Sequence, residues 1–260
     1  MTSIDLTGHR ALVGGASRGI GAATAAVLAE CGASVTLVAR NEAALAQVCD
    51  SLARIGEAQH RYLVADYGNP DALGDMVRRE GDDFSILIHN TGGPAGGALS
   101  EASPDALLAA FTQHLLSGQA LVQAVVPGMR RGGYGRVVNV ISTSVKEPIP
   151  GLGVSNTIRG AVASWSKTLA AELAGDGITV NNVLPGFTRT ERLDYVFDRK
   201  SESSGLSVEQ VAENARLTVP AGRFAEPSET AQAIAFLASP LAGYINGVNL
   251  PVDGGRTRSL

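Results

Sequence analysis

The chain carries only two cysteines, Cys31 and Cys49, in 260 residues. Both fall in stretches that read as helix, so buried thiols in a reducing compartment are expected in place of a disulfide framework. Metal-ligand spacing is missing as well. The four histidines, His9, His60, His89 and His114, are scattered, with no paired Cys or His beside them, and no metal is expected. No apolar run reaches the ~18 residues of a membrane span, and the opening MTSIDLTGHR lacks an apolar leader core. A formal charge of −4 leaves no basic footprint for nucleic acid or an anionic membrane. The expectation is a soluble, cytoplasmic protein acting on a small molecule, with locally placed arginines if that molecule is anionic. Hydrophobic content of 45% against 18% charged residues excludes disorder and permits a large core. No linker, internal repeat or low-complexity tract divides residues 1–260, so one domain is expected.

What the sequence does contain is a regular alternation. Short β-rich runs at 10–14, 34–39, 60–65, 84–89, 136–141, 178–184 and 247–252 are separated by stretches of helical periodicity. The helices are expected at about 20–31, 41–55, from 70, 104–131 with a bend near Gly118 or Pro127-Gly128, 152–174 and 227–238. Residues 185–226 read as irregular and polar, with one or two short helices. This order implies an α/β fold, a Rossmann-like doubly wound parallel sheet of about seven strands with helices on both faces. In such sheets ligands bind beyond the carboxyl ends of the strands. The glycine-rich or polar loops lie there: 14–21, Arg40-Asn41, Asp66-Tyr67, 90–97, 142–144 and 185–190.

The first loop organises the rest. Gly15, Gly19 and Gly21 follow a strand and open a helix, where missing Cβ atoms let the backbone approach a ligand and the helix N-terminus faces anionic groups. The ordered set GGASRGIG at 14–21, Asp66, NTGG at 90–93, GRVVNVIS at 135–142, NNVLPGFTRT at 181–190 and VDGG at 252–255 resembles the short-chain dehydrogenase/reductase family. The likeness is greatest to its 3-oxoacyl-carrier-protein-reductase-like members, and it covers nearly the whole chain. Gly14 departs from it, since the family usually has Thr there. The resemblance implies a nicotinamide dinucleotide held by Gly15, Ser17, Arg18, Gly19, Ile20 and Gly21. It also places Asp66 at the adenine, Asn90, Thr91 and Gly92 at the adenosine ribose, and Pro185, Gly186 and Thr188 at the nicotinamide carboxamide. NAD-preferring turns carry an acid about 20 residues after the glycines. Here the second strand ends in Arg40, which with Arg18 suits a 2′-phosphate, so NADP(H) is expected over NAD(H).

The family's catalytic set is a Ser, a Tyr, a Lys four residues after the Tyr, and an Asn on the preceding long helix. Ser142 matches the Ser, but the other three positions hold Ser155, Arg159 and His114. The register is checked by Ala161-Val162 and Lys167-Thr168-Leu169-Ala170 further along the same helix. A Ser hydroxyl cannot replace a phenol of pKa ~10, and losing one general acid forfeits about 10²- to 10⁴-fold in rate. Arg159 can hydrogen-bond a ribose and supply charge near a developing alkoxide, but it does not yield a proton. His114 is the best-placed substitute acid, since imidazole titrates near neutral pH, and the plainer reading of a helix histidine bonded to a main-chain carbonyl stands ahead of it. Tyr195 is expected to pack in the substrate loop at about 187–222, and Tyr134 and Tyr244 to be structural. Three functions stay open: an NADP(H)-dependent reductase of a ketone or 3-oxoacyl-type carbonyl with an altered proton relay, a dinucleotide-binding partner without redox activity, and a lyase or isomerase on the same fold. The family also implies a homodimer or homotetramer packed through helices 104–131 and 152–174.

Overall fold

Seven parallel strands form the centre of the computed structural model, which describes residues 4–81 and 83–259. Residues 1–3, part of the stretch read above for a leader, lie outside the described residues. The strands are β1 (Arg10–Gly14), β2 (Ser34–Ala39), β3 (Arg61–Val64), β4 (Ile86–His89), β5 (Gly135–Val140), β6 (Ile178–Pro185) and β7 (Asn249–Val252). They pair in the order β3-β2-β1-β4-β5-β6-β7, so the order reverses between β1 and β4. That reversal opens a crevice beyond the carboxyl ends of β1 and β4.

The helices are α1 (Gly19–Glu30), α2 (Glu42–Ser51), α3 (Pro70–Arg79), α4 (Pro104–Phe111), α5 (Ser117–Gly132), α6 (Gly153–Leu173), α7 (Glu191–Ser204), α8 (Val208–Leu217) and α9 (Pro227–Ala238). Their starts follow capping chemistry. Asn41, Asn69 and Ser103 accept N–H bonds from Ala44, Ala72 and Ala106, and Pro70 and Pro104 occupy first-turn positions where no donor is needed. Gly133 and Gly205, at φ +61° and +70°, end α5 and α7 in the left-handed region.

Strand alternation divides the core. Ala11, Val13, Ile86, Ile88 and Val138 face α1, α2 and α9, while Leu12, Val38, Leu87 and Val137 face α3, α5 and α6. A polar seam crosses this apolar sheet in register. Neighbouring strands pair His89 with Asn139, Asn139 with Asn182, and Asn182 with Asn249. Their side chains bond in the same sequence, at 3.2, 3.0 and 2.7 Å. Because the Asn139 amide nitrogen donates to Asn182 and to Ser166, its oxygen must accept from His89 Nδ1. His89 is neutral there, since burial pushes its pKa down to about 4.

Two local expectations are corrected, the bend in the long helix and the helical place of Cys31, and the reading of 185–226 is made definite. The helix expected over 104–131 is interrupted by a π-helical turn, Thr112–Leu116, and not at Gly118 or Pro127; Pro127 lies within α5. Residues 185–226 contain two well-formed helices, α7 and α8, around a small core of Phe187, Leu193, Phe197, Val211, Ala215 and Phe224. Cys31 falls one residue past α1 and is half-buried, while Cys49 is buried in α2. Among the described residues no helix is long and apolar enough to cross a membrane, and no group of His, Cys, Asp and Glu could hold a metal.

Candidate active site

The glycine turn after β1 is a cradle that side chains would fill. Gly15 and Gly19 both have φ +58°, and an ideal Cβ on Gly21 would lie 2.2 Å from the Gly15 carbonyl oxygen. Ser17 and Ile20 line the turn half-buried, and Arg18 is exposed. Arg18, the residue before α1, gives it no side-chain cap, and its first turn holds no acid, so its leading N–H groups are open to an anion. Asn90, following β4, donates its amide N–H to Gly14 O at 3.2 Å and packs against the turn. These features fit the pyrophosphate of a dinucleotide.

The rim of the crevice is arranged around this turn. Arg40, exposed at the end of β2, has no hydrogen-bond or ion-pair partner among the described residues. Arg18 instead pairs with Glu191 at the start of α7. Asp66 is exposed and accepts from Gly68 N–H at 2.9 Å, folding the loop after β3. Beyond β6, Pro185 leads into Gly186, whose N–H donates to Val252 O at 2.9 Å and whose ideal Cβ would meet Asp253 at 2.7 Å. Thr188 is buried and turns its hydroxyl onto Gly186 O. Thr190, the last residue of the 181–190 motif, has a role the motif left unspecified. It caps α7, and its Cγ2 lies 3.2 Å from where a Gly19 Cβ would be, closing the segment after β6 onto the turn.

The four catalytic candidates come from three neighbouring elements. Ser142 follows β5 and accepts from Ser144 N–H at 3.1 Å, which leaves its own O–H free to donate. Ser155 and Arg159 stand one turn apart on α6, on one face. The Ser155 hydroxyl has no partner among the described residues. Asn156 next to it, unforeseen in the sequence, clamps Ile149 through both amide atoms at 2.9 and 3.3 Å and so holds the preceding loop. Arg159 is only 8% exposed, donates Nη1 to Val140 O at 2.7 Å, and has a buried Nε with no partner. Burial and the neighbouring charge of Arg192 bring its pKa down to about 10, so it remains charged at neutral pH.

His114 occupies the π-helical turn. Such turns place a side chain and a freed carbonyl out of helical register, and they concentrate at functional sites. Its Nδ1 bonds Thr91 Oγ1, its Nε2 is buried without a partner, and Gln113 beside it donates to Gly92 O at 3.2 Å. The expectation of near-neutral titration is overturned. Burial, then the charge of Arg159, pushes the imidazole down to about 2, so His114 is neutral and carries a single ring proton. The tyrosines divide. Tyr134 donates to Ala238 O at 2.8 Å, a structural bond as expected. Tyr195 lies under the Arg192 guanidinium at 5.2 Å, on α7. Tyr244, expected to be structural, is instead fully exposed, at 105% relative accessibility.

Comparison with known proteins decides the lineage. The family model described as Enoyl-(Acyl carrier protein) reductase matches residues 15–257. The chain belongs to the short-chain dehydrogenase/reductase family. Within that family it is 35% identical, over 97% of its length and 98% of the relative's, to a 3-oxoacyl-acyl-carrier-protein reductase of Vibrio cholerae. It is 29% identical, over 96% of this chain and 98% of the relative, to the NADPH-dependent reductase BacG of Bacillus subtilis. The solved L-sorbose reductase of Gluconobacter frateurii, complexed with NADPH and L-sorbose, superposes with a TM-score of 0.92 at 29% identity over the whole of both chains.

Proposed function

We propose that this short-chain dehydrogenase/reductase is an NADP(H)-dependent oxidoreductase that reduces a ketone or 3-oxoacyl-type carbonyl through a proton relay without tyrosine or lysine. The observation that carries the reading is Arg159: buried, charged, anchored on Val140 O, and with a nitrogen left without a protein partner. Relatives of the chain are named as reductases and as NADPH-bound, which supports the reaction class and the cofactor. Gly15 to Gly21 and the open end of α1 would hold the pyrophosphate, Arg40 and Arg18 the 2′-phosphate, Asp66 and Asn90 to Gly92 the adenosine, and Pro185 to Thr188 the carboxamide.

NADPH, when bound, supplies the hydride. The Ser142 O–H, oriented by Ser144 N–H, donates to the carbonyl oxygen, and the Arg159 guanidinium stabilises the negative charge that develops there. Neither Arg159 nor neutral His114 serves as a strong acid near pH 7. The proton therefore comes from water, with Ser155 and His114 as neutral donor-acceptor stations. The chain acts as one binding and catalytic unit, with 187–222 as the substrate lid. It assembles as a homodimer or homotetramer through α6 and the stretch from α4 through the π-helical turn to α5, where Leu108 and Leu116 are 62% and 39% exposed.

The test is NADPH oxidation, followed by absorbance, against ketones and 3-oxoacyl thioesters. Arg159→Ala should lower kcat by about 10²-fold or more while NADPH still binds. Tight NADPH binding without turnover would instead mark a redox-inactive partner protein. Product formed without NADPH consumption would mark a lyase or isomerase.

A further inference from the structure

Three arginines from separate parts of the chain end near the carboxyl ends of β4 and β5, and none has an acidic partner among the described residues. Arg159 rises from α6 as described. Arg192, in the first turn of α7, donates Nη2 to Pro94 O at 2.7 Å and lies against Gly93, whose ideal Cβ would be 3.3 Å from that nitrogen. Arg256, after β7, lies over the Phe187 ring at 4.8 Å and reaches Thr143 Oγ1, beside Ser142, at 3.5 Å. Its Nε, like that of Arg159, is buried with no partner.

The nearby carboxylates are committed elsewhere. Glu147 accepts the N–H groups of Arg258 and Ser259 at 2.6 and 2.8 Å. Asp253 accepts those of Gly255 and Thr257 at 3.0 and 2.8 Å. Glu191 pairs with Arg18, and Glu226 with Arg189. In a protein of net charge −4, three guanidinium groups with no neutralising acid form a local reversal of sign. Buried or half-buried cations without an anion are costly to fold, and planar forks of this kind match an oxyanion in paired hydrogen bonds. The open end of α1 and Arg40 serve the dinucleotide phosphates from the β1–β2 side of the crevice, and Arg18 meets α7 only through Glu191. Arg192 and Arg256 flank Gly93, Pro94 and Thr143 instead, on the side where the carbonyl must enter.

We propose that the carbonyl substrate is an oxo acid whose carboxylate is gripped by Arg192 and Arg256 while its carbonyl oxygen meets Ser142 and Arg159. The inference rests on the reductase reading above and narrows its substrate class. Arg192 doubles as a strap, since its bond to Pro94 O ties the lid helix to the loop after β4 and encloses a small anion.

The test uses matched pairs: aliphatic and aromatic 2-, 3- and 4-oxo acids, each with its methyl ester. Oxidation of NADPH should favour the acid over its ester by about 100-fold in kcat/KM, the value of one or two charge-assisted hydrogen bonds. Arg192→Met and Arg256→Met should each cut that preference about tenfold through the KM for the acid, leave the KM for NADPH unchanged, and be partly rescued by Arg192→Lys. The same acids are titrated calorimetrically into the NADP⁺-loaded wild-type protein, which requires no variant to fold. Acid binding without NADPH oxidation would uphold the anion site while the reductase reading fails. Oxidation of neutral ketones and esters as fast as the acids would leave the reductase reading standing and overturn the proposal. So would the absence of both acid binding and acid preference.

Discussion

The phenol oxygen of Tyr67 stands where a side chain on Gly14 would have to be, 2.2 Å from an ideal Cβ at that position. The family's usual threonine at residue 14 has therefore been exchanged for a glycine whose missing volume is filled from the loop after β3. Asn90 O, at 2.8 Å from the same point, closes the space from the other side. Gly14→Ala should lower stability by about 1–3 kcal/mol through overpacking. Tyr67→Val in the same chain should recover part of that loss, measured as a double-mutant cycle by urea unfolding. Strictly additive effects would rule out the coupling.

Ser142 is the one catalytic position that matches the family, and its hydroxyl is aimed by the Ser144 N–H. Ser142→Ala removes the donor to the developing alkoxide without touching the glycine turn. A fall of about 10²- to 10³-fold in kcat is expected, with NADPH affinity unchanged by fluorescence titration. A loss confined to NADPH binding would remove Ser142 from the reaction.

His89 and His114 are buried and neutral, with pKa values pushed from the ordinary 6.5 to about 4 and about 2. Below pH ~6.5 the unfolded chain takes up protons that the folded chain refuses, so the unfolded state gains as pH falls. Stability is accordingly full above about pH 6.5 and drops toward pH 4 by about 1.4 kcal/mol per unit for each of the two histidines. His114→Asn, restoring the family residue, should remove about half of that histidine slope in urea midpoints measured across the window. Because the folded imidazole does not titrate near neutrality, the kcat profile should show no inflection from pH 6 to 8 that His114→Asn abolishes.

Arg18 pairs with Glu191 in this structure, whereas the proposed function gives it to a 2′-phosphate. Both side chains are exposed, at 70% and 68%, so the pair is weak and screened by salt. Glu191→Gln should tighten NADPH binding by up to about fivefold at low ionic strength, with the gain vanishing in high salt and NADH affinity unmoved. Equal gains for both dinucleotides would show that Arg18 does not read the 2′-phosphate.

All seven strands lie within two residues of where their β-rich runs place them, because a strand buried on both faces writes its apolar residues contiguously in the sequence. The glycine turn was legible for a related reason. Positive φ and close backbone approach demand glycine locally, whatever the rest of the chain does. The placement of Ser142 after β5 and of Ser155 and Arg159 one turn apart on α6 was legible too, since one strand, one loop and one helix impose that spacing.

Tertiary structure alone decided the charge states and the company of these groups. Periodicity shows that His114 is on a helix, but not that a π-helical turn buries it within reach of the Arg159 charge and keeps it neutral. Arg192 and Arg256 read as two more charges in polar segments 64 residues apart (256 − 192). Arg192 reaches Pro94 because α7 folds back over the loop after β4, and Arg256 reaches Thr143 because the segment beyond β7 returns there. Desolvation and long-range charge depend on what surrounds a group in space, and chain order does not record that.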